Sequence, residues 1–273
     1  MTTSRVAAIQ MVSNDDVDMN LAAAGRLAAA AADAGAGLAV LPENFAYLGR
    51  HEADKSEIAE ADGDGPIQEF LAETAARHNL WLIGGTIPLR APGQARRSFG
   101  ACLVYDPDGK RAARFDKIHL FDVAVPDTAE QYKESASTVP GSDPATVDTP
   151  FGRVGLSVCY DLRFPELYRH YAAAGAEILA VPSAFTAVTG RAHWEVLVRA
   201  RAIENLCTVI APNQGGRHPG GRETYGDSLV VDAWGRVMDR VAAGPGIAIG
   251  TVDRDALRRT REHFPVLEHR RLT

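Results

Sequence analysis

The feature that most constrains the fold is the alternation of strand-like and helix-like segments along the chain. Short runs of apolar and β-branched residues, such as Val6–Met11, alternate with longer alanine-rich segments, such as Asp18–Ala34. Two pairs of strand-like segments instead flank tight turns, Asp106–Gly109 and Ala233–Gly235, and these predict antiparallel hairpins. Helical connections and hairpins in one chain predict an α/β fold with mixed sheets covered by helices, and argue against a purely parallel sheet.

The same patterns predict the remaining elements. The other predicted strands are Gly37–Leu41, Leu80–Pro88, Ala101–Tyr105, Arg111–Phe115, Arg153–Cys159, Ile178–Val181, Thr208–Pro212, Ser228–Asp232, Arg236–Asp239 and Ile247–Val252. The other predicted helices are Pro66–Asn79, Pro165–Ala174, Ala192–Asn205 and Arg254–Glu262. A long loop is expected at Lys117–Pro140, and loops of this length inside a compact domain are often functional.

Length and composition limit the class of protein. The 273 residues are 46% hydrophobic and 23% charged, which predicts one globular domain spanning 1–273. A formal charge of −6 gives no electrostatic basis for binding nucleic acid or an anionic membrane. There is no apolar run of membrane-spanning length and no export signal before Val6, so a cytoplasmic protein is expected. Three scattered cysteines predict neither a disulfide framework nor a metal site.

Three ionisable residues stand at or just beyond the ends of predicted strands. They are Glu43, Lys117 and Cys159. Because functional sites assemble at strand ends in α/β folds, the three side chains are expected to converge. Each also has a structural interpretation: a solvated turn carboxylate, a surface lysine and a small buried apolar side chain. Pro165 and Glu166 suit the first turn of a helix, which would place Cys159 at a strand-to-helix corner.

The chemistry of these three residues is coherent. A free thiol has a pKa of about 8.5 and needs a nearby cation or base before it can act as a nucleophile. Lys117 can supply the cation and Glu43 the base, and a carboxylate between thiol and ammonium can move protons in both directions. A serine nucleophile is not expected at Ser157, because it lies inside the strand.

Three segments carry a resemblance to a known family. Leu41–Asn44, Asp116–Asp122 and Cys159–Glu166 resemble the three signature segments of the nitrilase, or carbon–nitrogen hydrolase, superfamily. The resemblance implies a four-layer α-β-β-α sandwich and a Glu-Lys-Cys triad, here Glu43, Lys117 and Cys159. It also implies cofactor-free hydrolysis of a small-molecule amide through a cysteine thioester.

The resemblance implies roles for further residues. Glu134 would have an orienting or proton-assisting role, with a solvated loop carboxylate as the alternative. Lys117 and the backbone N–H of Tyr160 would hold the oxyanion of the tetrahedral intermediate. His119 either orients the Lys117 loop or is a structural histidine.

Substrate-binding residues are expected on the same grounds. Arg163 is the candidate to bind a substrate carboxylate, since guanidinium offers a bidentate fork. Phe185 and Thr189 would line the same pocket. The alternatives are an arginine on a surface turn, a core phenylalanine and a helix-capping threonine. His193 and Trp194 are expected to pack and bond structurally.

The branch of the family is also suggested by resemblance. Pro182–Phe185, Arg199–Glu204 and Val266–Arg271 resemble the Nit branch, whose members act on short dicarboxylic monoamides. Gln214–His218 and Tyr225–Gly226 resemble the members that hydrolyse deaminated glutathione more than the ω-amidases. An ω-amidase, an N-carbamoyl or nitrile hydrolase, and a non-catalytic binding protein of the same fold remain alternatives. The family also implies a homodimer, with the segment near Phe264–Arg271 at its interface.

Overall fold

The computed structural model describes residues 3–125 and 131–272. The strands are β1 (Thr3–Gln10), β2 (Ala36–Val40), β3 (Trp81–Ile83), β4 (Ile87–Arg90), β5 (Ser98–Tyr105), β6 (Arg111–Asp116), β7 (Asp122–Ala124), β8 (Gln131–Lys133), β9 (Thr138–Val139), β10 (Ala145–Thr149), β11 (Gly152–Leu156), β12 (Ile178–Ala180), β13 (Thr208–Ala211), β14 (Ser228–Val231), β15 (Val237–Val241) and β16 (Gly246–Asp253). The α-helices are α1 (Val17–Asp33), α2 (Pro66–His78), α3 (Pro165–Ala173), α4 (Ala187–Asn205) and α5 (Arg254–His263).

Two large mixed sheets form the centre of the molecule. The first has the order β16-β1-β2-β3-β5-β4, and β6 and β9 also pair with β5. The second has the order β10-β11-β12-β13-β14-β15. In each sheet a parallel centre is flanked by antiparallel strands, as in β2–β3 against β3–β5 and in β11–β12 against β13–β14. The predicted mixed topology is confirmed.

Alternation along β1 shows how the layers stack. Val6 and Ala8 belong to a core that also contains Val154 and Leu156 of the second sheet, so this core lies between the sheets. Ala7 and Ile9 point to the opposite face, where the alanines of α1 and the apolar side of α2 pack. Helices α3 and α4 cover the outer face of the second sheet. The structure therefore has the four-layer α-β-β-α architecture expected from the family resemblance.

One predicted strand is two strands in the structure. The segment predicted as Leu80–Pro88 breaks between β3 and β4, so that prediction was wrong in its continuity. Gly85 has φ +54, and a Cβ at this position would lie 2.0 Å from the carbonyl oxygen of Pro42. Only glycine allows this close approach of two backbone segments. The break therefore brings the chain against the turn that carries Glu43.

The long loop expected at Lys117–Pro140 contains regular structure. Residues 126–130 of that loop lie outside the described residues. The remainder forms the hairpin pair β7 and β8, a short 3₁₀ turn at Glu134–Ala136, and β9. These strands have two or three residues each, too few for a two-residue periodicity to be recognised. The sequence pattern also missed β10, in which Val147 is the buried residue.

Helix α4 begins five residues earlier than predicted. Thr186 is its N-cap and accepts a hydrogen bond from the N–H of Thr189. Gly190 lies inside the helix because Tyr225 packs against it: a Cβ at Gly190 would lie 2.2 Å from the Cβ of Tyr225. Gly190 is thus a packing site inside the helix. Among the described residues no helix is both long and apolar enough to cross a membrane.

Candidate active site

The three strand-end residues converge in one cleft. Glu43 follows β2 and Lys117 follows β6, both in the first sheet, whereas Cys159 follows β11 in the second sheet. The cleft has about 470 Å³ of empty space counted out to its mouth. Its charged lining residues are Glu43, Glu52, Lys55, Lys117, Glu134, Arg163 and Arg222. Four cations and three carboxylates give the lining a surplus of positive charge, which favours an anionic ligand.

Cys159 occupies a sharp corner. Its φ is +49, a left-handed conformation that is strained for a residue with a side chain. The corner is held because the N–H of Cys159 donates to the carbonyl of Pro182 (2.9 Å) and that of Asp161 donates to the carbonyl of Val158 (3.0 Å). The N–H of Tyr160, the next residue along, has no hydrogen-bond acceptor within residues 3–125 and 131–272. It is available to a ligand beside the thiol.

Asp161 ties this corner to the loop that carries Lys117. Its fully buried carboxylate accepts hydrogen bonds from the N–H groups of Val158 and His119, both at 2.9 Å. It also contacts Nδ1 of His119 at 2.7 Å, and the imidazole stacks on Phe164 with ring centroids 3.6 Å apart. His119 therefore has both of the expected features: it is a bonded structural histidine, and it fixes the Lys117 loop to the nucleophile corner.

The turn that carries Glu43 is fixed from two sides. Asn44 has φ +57 and its N–H donates to Oγ1 of Thr86 (2.8 Å). On the other side, Nε2 of the fully buried Gln214 donates to the carbonyl of Glu43 (3.1 Å) and to Oγ of Ser13 (2.8 Å). Gln214 directly precedes the glycine-rich loop, Gly215–Gly221, which follows β13. A distant part of the chain therefore sets the position of the Glu43 carboxylate.

Lys117 lies between two carboxylates. Its Nζ is 2.7 Å from Oε1 of Glu43 and 2.9 Å from each oxygen of Glu134. The three side chains, which we call the floor cluster, are only 3%, 6% and 11% exposed for Lys117, Glu43 and Glu134 respectively. Oε2 of Glu134 also accepts from the N–H of Phe121 (2.7 Å). The alternative of a solvated loop carboxylate at Glu134 is therefore wrong: the side chain is buried and bound to Lys117.

The electrostatics of the floor cluster assign a charge state to each group. Burial works against ionisation of Glu43, but the adjacent Lys117 ammonium holds the pKa of this carboxyl below its usual value. Burial likewise opposes the charge on Lys117, yet Glu134 and Glu43 keep its pKa well above the usual value. Burial, reinforced by the Glu43 charge, raises the pKa of the Cys159 thiol despite Lys117. The thiol is therefore protonated at rest, and it lies close enough to Glu43 for the negative charge of that carboxylate to act on it.

The predicted substrate-binding residues all line the cleft. The Arg163 guanidinium lies over the rings of Phe185 (5.4 Å) and Tyr160 (5.9 Å), and Nη1 is 3.2 Å from Nδ1 of His193. Phe185 lines the cleft and also packs in the core against Trp194, so both interpretations of this residue hold. Thr189 is not the helix cap: Thr186 fills that position.

His193 and Trp194 were both expected to be structural residues, and the structure supports this for Trp194 only. Trp194 is fully buried and its Nε1 donates to the carbonyl of Asp227 (2.7 Å), as expected of a structural residue. His193 is exposed and does not pack in the core; its contact is with Arg163. Neighbouring positions of α4 therefore face different surroundings: His193 lies beside Arg163, whereas Trp194 packs in the core with the second sheet.

The sequence patterns missed a second charged group in the cleft. Oε2 of Glu52 is 2.6 Å from Nζ of Lys55, and Oε1 is 3.1 Å from Nη1 of Arg222. We call these three residues the rim cluster; their side chains are 30%, 14% and 19% exposed for Glu52, Lys55 and Arg222. Glu52 and Lys55 lie on a 3₁₀ turn and Arg222 follows the glycine-rich loop. No strand end or motif marked these positions.

In residues 3–125 and 131–272, no group of three or more histidine, cysteine, aspartate or glutamate side chains is arranged to hold a metal ion. Cys102, Cys159 and Cys207 are all free and buried. The donor groups in the cleft are instead paired with ammonium and guanidinium groups.

Comparison with known proteins identifies the family of this chain and agrees with its fold. Residues 5–262 match the carbon–nitrogen hydrolase family model. The chain is 43% identical over 266 residues to the deaminated glutathione amidase of Synechocystis sp., covering 97% of both proteins. The chain belongs to the carbon–nitrogen hydrolase family, and it is an enzyme of the amidase type.

Solved structures are similar over almost the whole chain. The crystal structure of the C. elegans NitFhit protein superposes with a TM-score of 0.92 at 38% identity; it covers 98% of this chain, which spans 65% of that longer protein. Saccharomyces cerevisiae Nit3, a member of branch 10 of the nitrilase superfamily, superposes with a TM-score of 0.87 at 30% identity, with 99% and 97% of the two chains covered. The predicted family and its Nit branch are confirmed.

Proposed function

We propose that this protein hydrolyses deaminated glutathione to 2-oxoglutarate and cysteinylglycine, with Cys159 as nucleophile and without a cofactor. The observation that carries the catalytic part is the convergence of Cys159, Glu43 and Lys117 in one cleft, with Nζ of Lys117 2.7 Å from Oε1 of Glu43. The substrate rests on the Synechocystis relative named deaminated glutathione amidase and on the positive surplus of the cleft, which suits a substrate with two carboxylates.

The acylation half-reaction follows from the charge states. Glu43 takes the proton from the Cys159 thiol as sulfur attacks the amide carbonyl carbon. The carbonyl oxygen becomes an oxyanion held by the N–H of Tyr160 and an N–H of Lys117. All contacts of the Lys117 ammonium are to carboxylates at rest, two of them to Glu134, so giving up one Glu134 contact frees a proton for the oxyanion. A donor of this kind contributes about 3–4 kcal/mol to transition-state stabilisation.

Collapse and deacylation return the enzyme to its starting state. The C–N bond breaks as Glu43 passes its proton to the leaving amine, which leaves a thioester on Cys159. Glu43 then takes a proton from water, and the resulting hydroxide attacks the thioester carbonyl. The C–S bond breaks, the carboxylic acid is released, and Glu43 returns the proton to the Cys159 sulfur. Glu134 touches none of the reacting atoms in this scheme; it is a positioning residue that holds Lys117.

The first experiment measures product release from deaminated glutathione, with 2-oxoglutaramate, an N-carbamoyl amino acid and a nitrile in parallel. We expect cysteinylglycine and 2-oxoglutarate in equal amounts, and a loss of more than about 10⁴-fold in kcat for Cys159→Ala. Mass spectrometry of quenched enzyme should show a 2-oxoglutaryl adduct on Cys159. Cys102→Ala is the matched control, because that thiol is buried in the core away from the cleft.

Each outcome has a separate meaning for the proposal. Faster hydrolysis of 2-oxoglutaramate would make the enzyme an ω-amidase and would overturn the proposed substrate. A preference for the carbamoyl compound or the nitrile would assign another reaction of the family. Turnover by Cys159→Ala would overturn the nucleophile, and absence of any turnover would favour the non-catalytic binding member.

The assembly is also a proposal. We infer a homodimer of single-domain subunits (1–273), because Val196 and Ile203 lie exposed on one face of α4 and the exposed rings of Trp234 and Phe264 meet edge-to-face nearby, with centroids 5.5 Å apart. Three free, buried thiols suit the reducing cytoplasm. Light scattering at micromolar concentration should give twice the mass of one chain, falling to one chain for Trp234→Glu. A wild-type monomer would contradict the dimer.

A further inference from the structure

Arg222 is only partly satisfied by the protein. Nη1 lies 3.1 Å from Oε1 of Glu52, and Nη2 donates to the carbonyl of Ala184 at 3.1 Å. Nε is buried and has no hydrogen-bond partner within the described residues, although the side chain lines the cleft. Burying an N–H group without an acceptor costs about 1–3 kcal/mol. A ligand acceptor in the cleft would remove that cost.

A second buried arginine shows what a purely structural guanidinium looks like in this fold. Arg201 donates Nε and Nη2 to the carbonyl of Leu162 at 3.0 and 2.8 Å, and Nη1 to Glu204 at 2.8 Å. Its donors face backbone and a carboxylate, and it does not line the cleft. Arg222 also bonds a backbone carbonyl and a carboxylate, but it differs from Arg201 in that its Nε has no partner within the described residues and its side chain lines the cleft.

The rim cluster carries a net positive charge. Lys55, and to a smaller extent Arg222, hold the pKa of the Glu52 carboxyl at about 2 against the effect of burial, so this carboxylate is ionised at neutral pH. One carboxylate between two cations leaves one positive charge in excess. That excess suits a ligand with a single negative charge, and the planar guanidinium suits a carboxylate.

The rim cluster lies on the side of Glu43. Lys55 lines a small cavity together with Glu43 and Asn44, whereas Arg163 lies over Phe185 and beside His193. Glu43 is the group that protonates the departing amine in the scheme above. The amine portion of the substrate therefore faces the rim cluster, and the acyl portion faces Arg163.

We propose that Arg222 binds the terminal carboxylate of the amine leaving group. The cleft would then bind the two ends of its substrate with two arginines, Arg163 and Arg222. This assignment rests on the proposed function. Arg163 binds the carboxylate of the acyl part, and Arg222 recognises a peptide-like leaving group with a free C-terminus. The enzyme thereby favours amides of an amino acid or dipeptide over a primary amide, which has no carboxylate on its leaving group.

The loop that carries Arg222 is built to hold it. His218 donates from Nδ1 to the carbonyl of Ser13 and accepts from Oγ1 of Thr224, both at 2.7 Å. Its own N–H donates to the carbonyl of Arg222 (2.9 Å). These bonds fix the backbone of the glycine-rich loop at both ends, so the arginine is placed before the substrate arrives.

The test compares deaminated glutathione with its C-terminal amide, which differs only in the leaving-group carboxylate, and with 2-oxoglutaramate. Wild-type enzyme should prefer the acid to the amide by about 10–100-fold in kcat/KM, the range of a charged hydrogen-bonded pair. Arg222→Gln should abolish that preference through KM, with a much smaller loss on 2-oxoglutaramate. Arg222→Lys should restore part of the preference.

The controls separate this proposal from the proposed function. Arg217→Gln makes the same charge change in the same loop, but its side chain is 84% exposed and outside the cleft, so the preference should persist. Equal losses on all three substrates in Arg222→Gln, with an unchanged melting temperature, would give Arg222 a structural role and overturn the assignment. Wild-type hydrolysis of acid and amide at equal rates would also overturn it. A wild-type enzyme that hydrolyses only 2-oxoglutaramate would instead overturn the proposed function.

Discussion

The floor cluster and the rim cluster of the cleft each contain three charged side chains, but with opposite arrangements of charge. The floor cluster places one cation, Lys117, between two carboxylates, whereas the rim cluster places one carboxylate, Glu52, between two cations. The floor side chains are at most 11% exposed and the rim side chains are 14–30% exposed. The two clusters therefore differ in the sign of their excess charge and in their access to water.

This difference assigns the catalytic chemistry to the floor cluster and the recognition of an anionic substrate to the rim cluster. The negative excess at the floor helps to raise the pKa of the Cys159 thiol, so the proton stays on sulfur until Glu43 removes it during attack. The positive excess at the rim, close to solvent, can attract an anion without changing the charge state of the nucleophile. An enzyme that needs both a protonated thiol and an anionic substrate gains by keeping the two charges apart.

Removal of the two cleft lysines gives the largest test of this difference. Lys117→Met leaves two buried carboxylates unpaired and removes an oxyanion donor, so kcat should fall at least about 10³-fold and the free energy of unfolding by about 3–5 kcal/mol. Lys55→Met leaves Glu52 with Arg222 as its remaining cation, so it should cost less, about 1–2 kcal/mol, with the kinetic effect on KM. Steady-state kinetics and urea unfolding measure both.

The matched lysine pair can also contradict the comparison. Equal losses of kcat in the two variants would show that floor and rim act as one electrostatic unit. A Lys117→Met protein as stable as wild type would show that Glu43 and Glu134 do not need their cation to remain buried.

Lowering the pH should have a smaller effect on stability. We expect it to destabilise the loop that carries His218 and Arg222 before it affects the floor cluster. Burial, with help from the Arg222 charge and against the bond to Ser13, lowers the pKa of His218 from near 6.5 to about 4. The unfolded chain therefore binds more protons between these values, and the stabilising effect is complete above pH 6.5 and lost as the pH falls to 4. Urea unfolding at pH 7.5 and 4.5 should show a difference of about 2–3 kcal/mol from this group.

The histidine responsible can be identified by substitution. His218→Gln should reduce the pH dependence, whereas His269→Gln, in the exposed C-terminal segment, should leave it unchanged. The KM for deaminated glutathione should rise as the pH falls through the same window, because the N–H of His218 bonds the carbonyl of Arg222 and holds its backbone. An unchanged pH dependence in His218→Gln would remove this histidine from the argument.

The sequence predicted the floor more fully than the rim. Glu43, Lys117 and Cys159 follow strands, and strand ends are the one position where a pattern in the chain also indicates a position in space. Glu134 was found through the family resemblance. Arg222 and Glu52 lie on irregular turns far apart in the sequence, and their pairing across 170 residues leaves no local signal.

The same limit applies to the fold. The alternation of strands and helices and the hairpin turns determined a mixed sheet covered by helices, because side-chain periodicity and turn chemistry are local properties. The break at Gly85, the early start of α4 at Thr186 and the pairs in the 117–140 segment depend on contacts with Pro42, Tyr225 and other distant residues. The tertiary structure also decided the charge states: composition supplies carboxylates, ammonium groups and a thiol, but only burial and distance fix which of them carry protons.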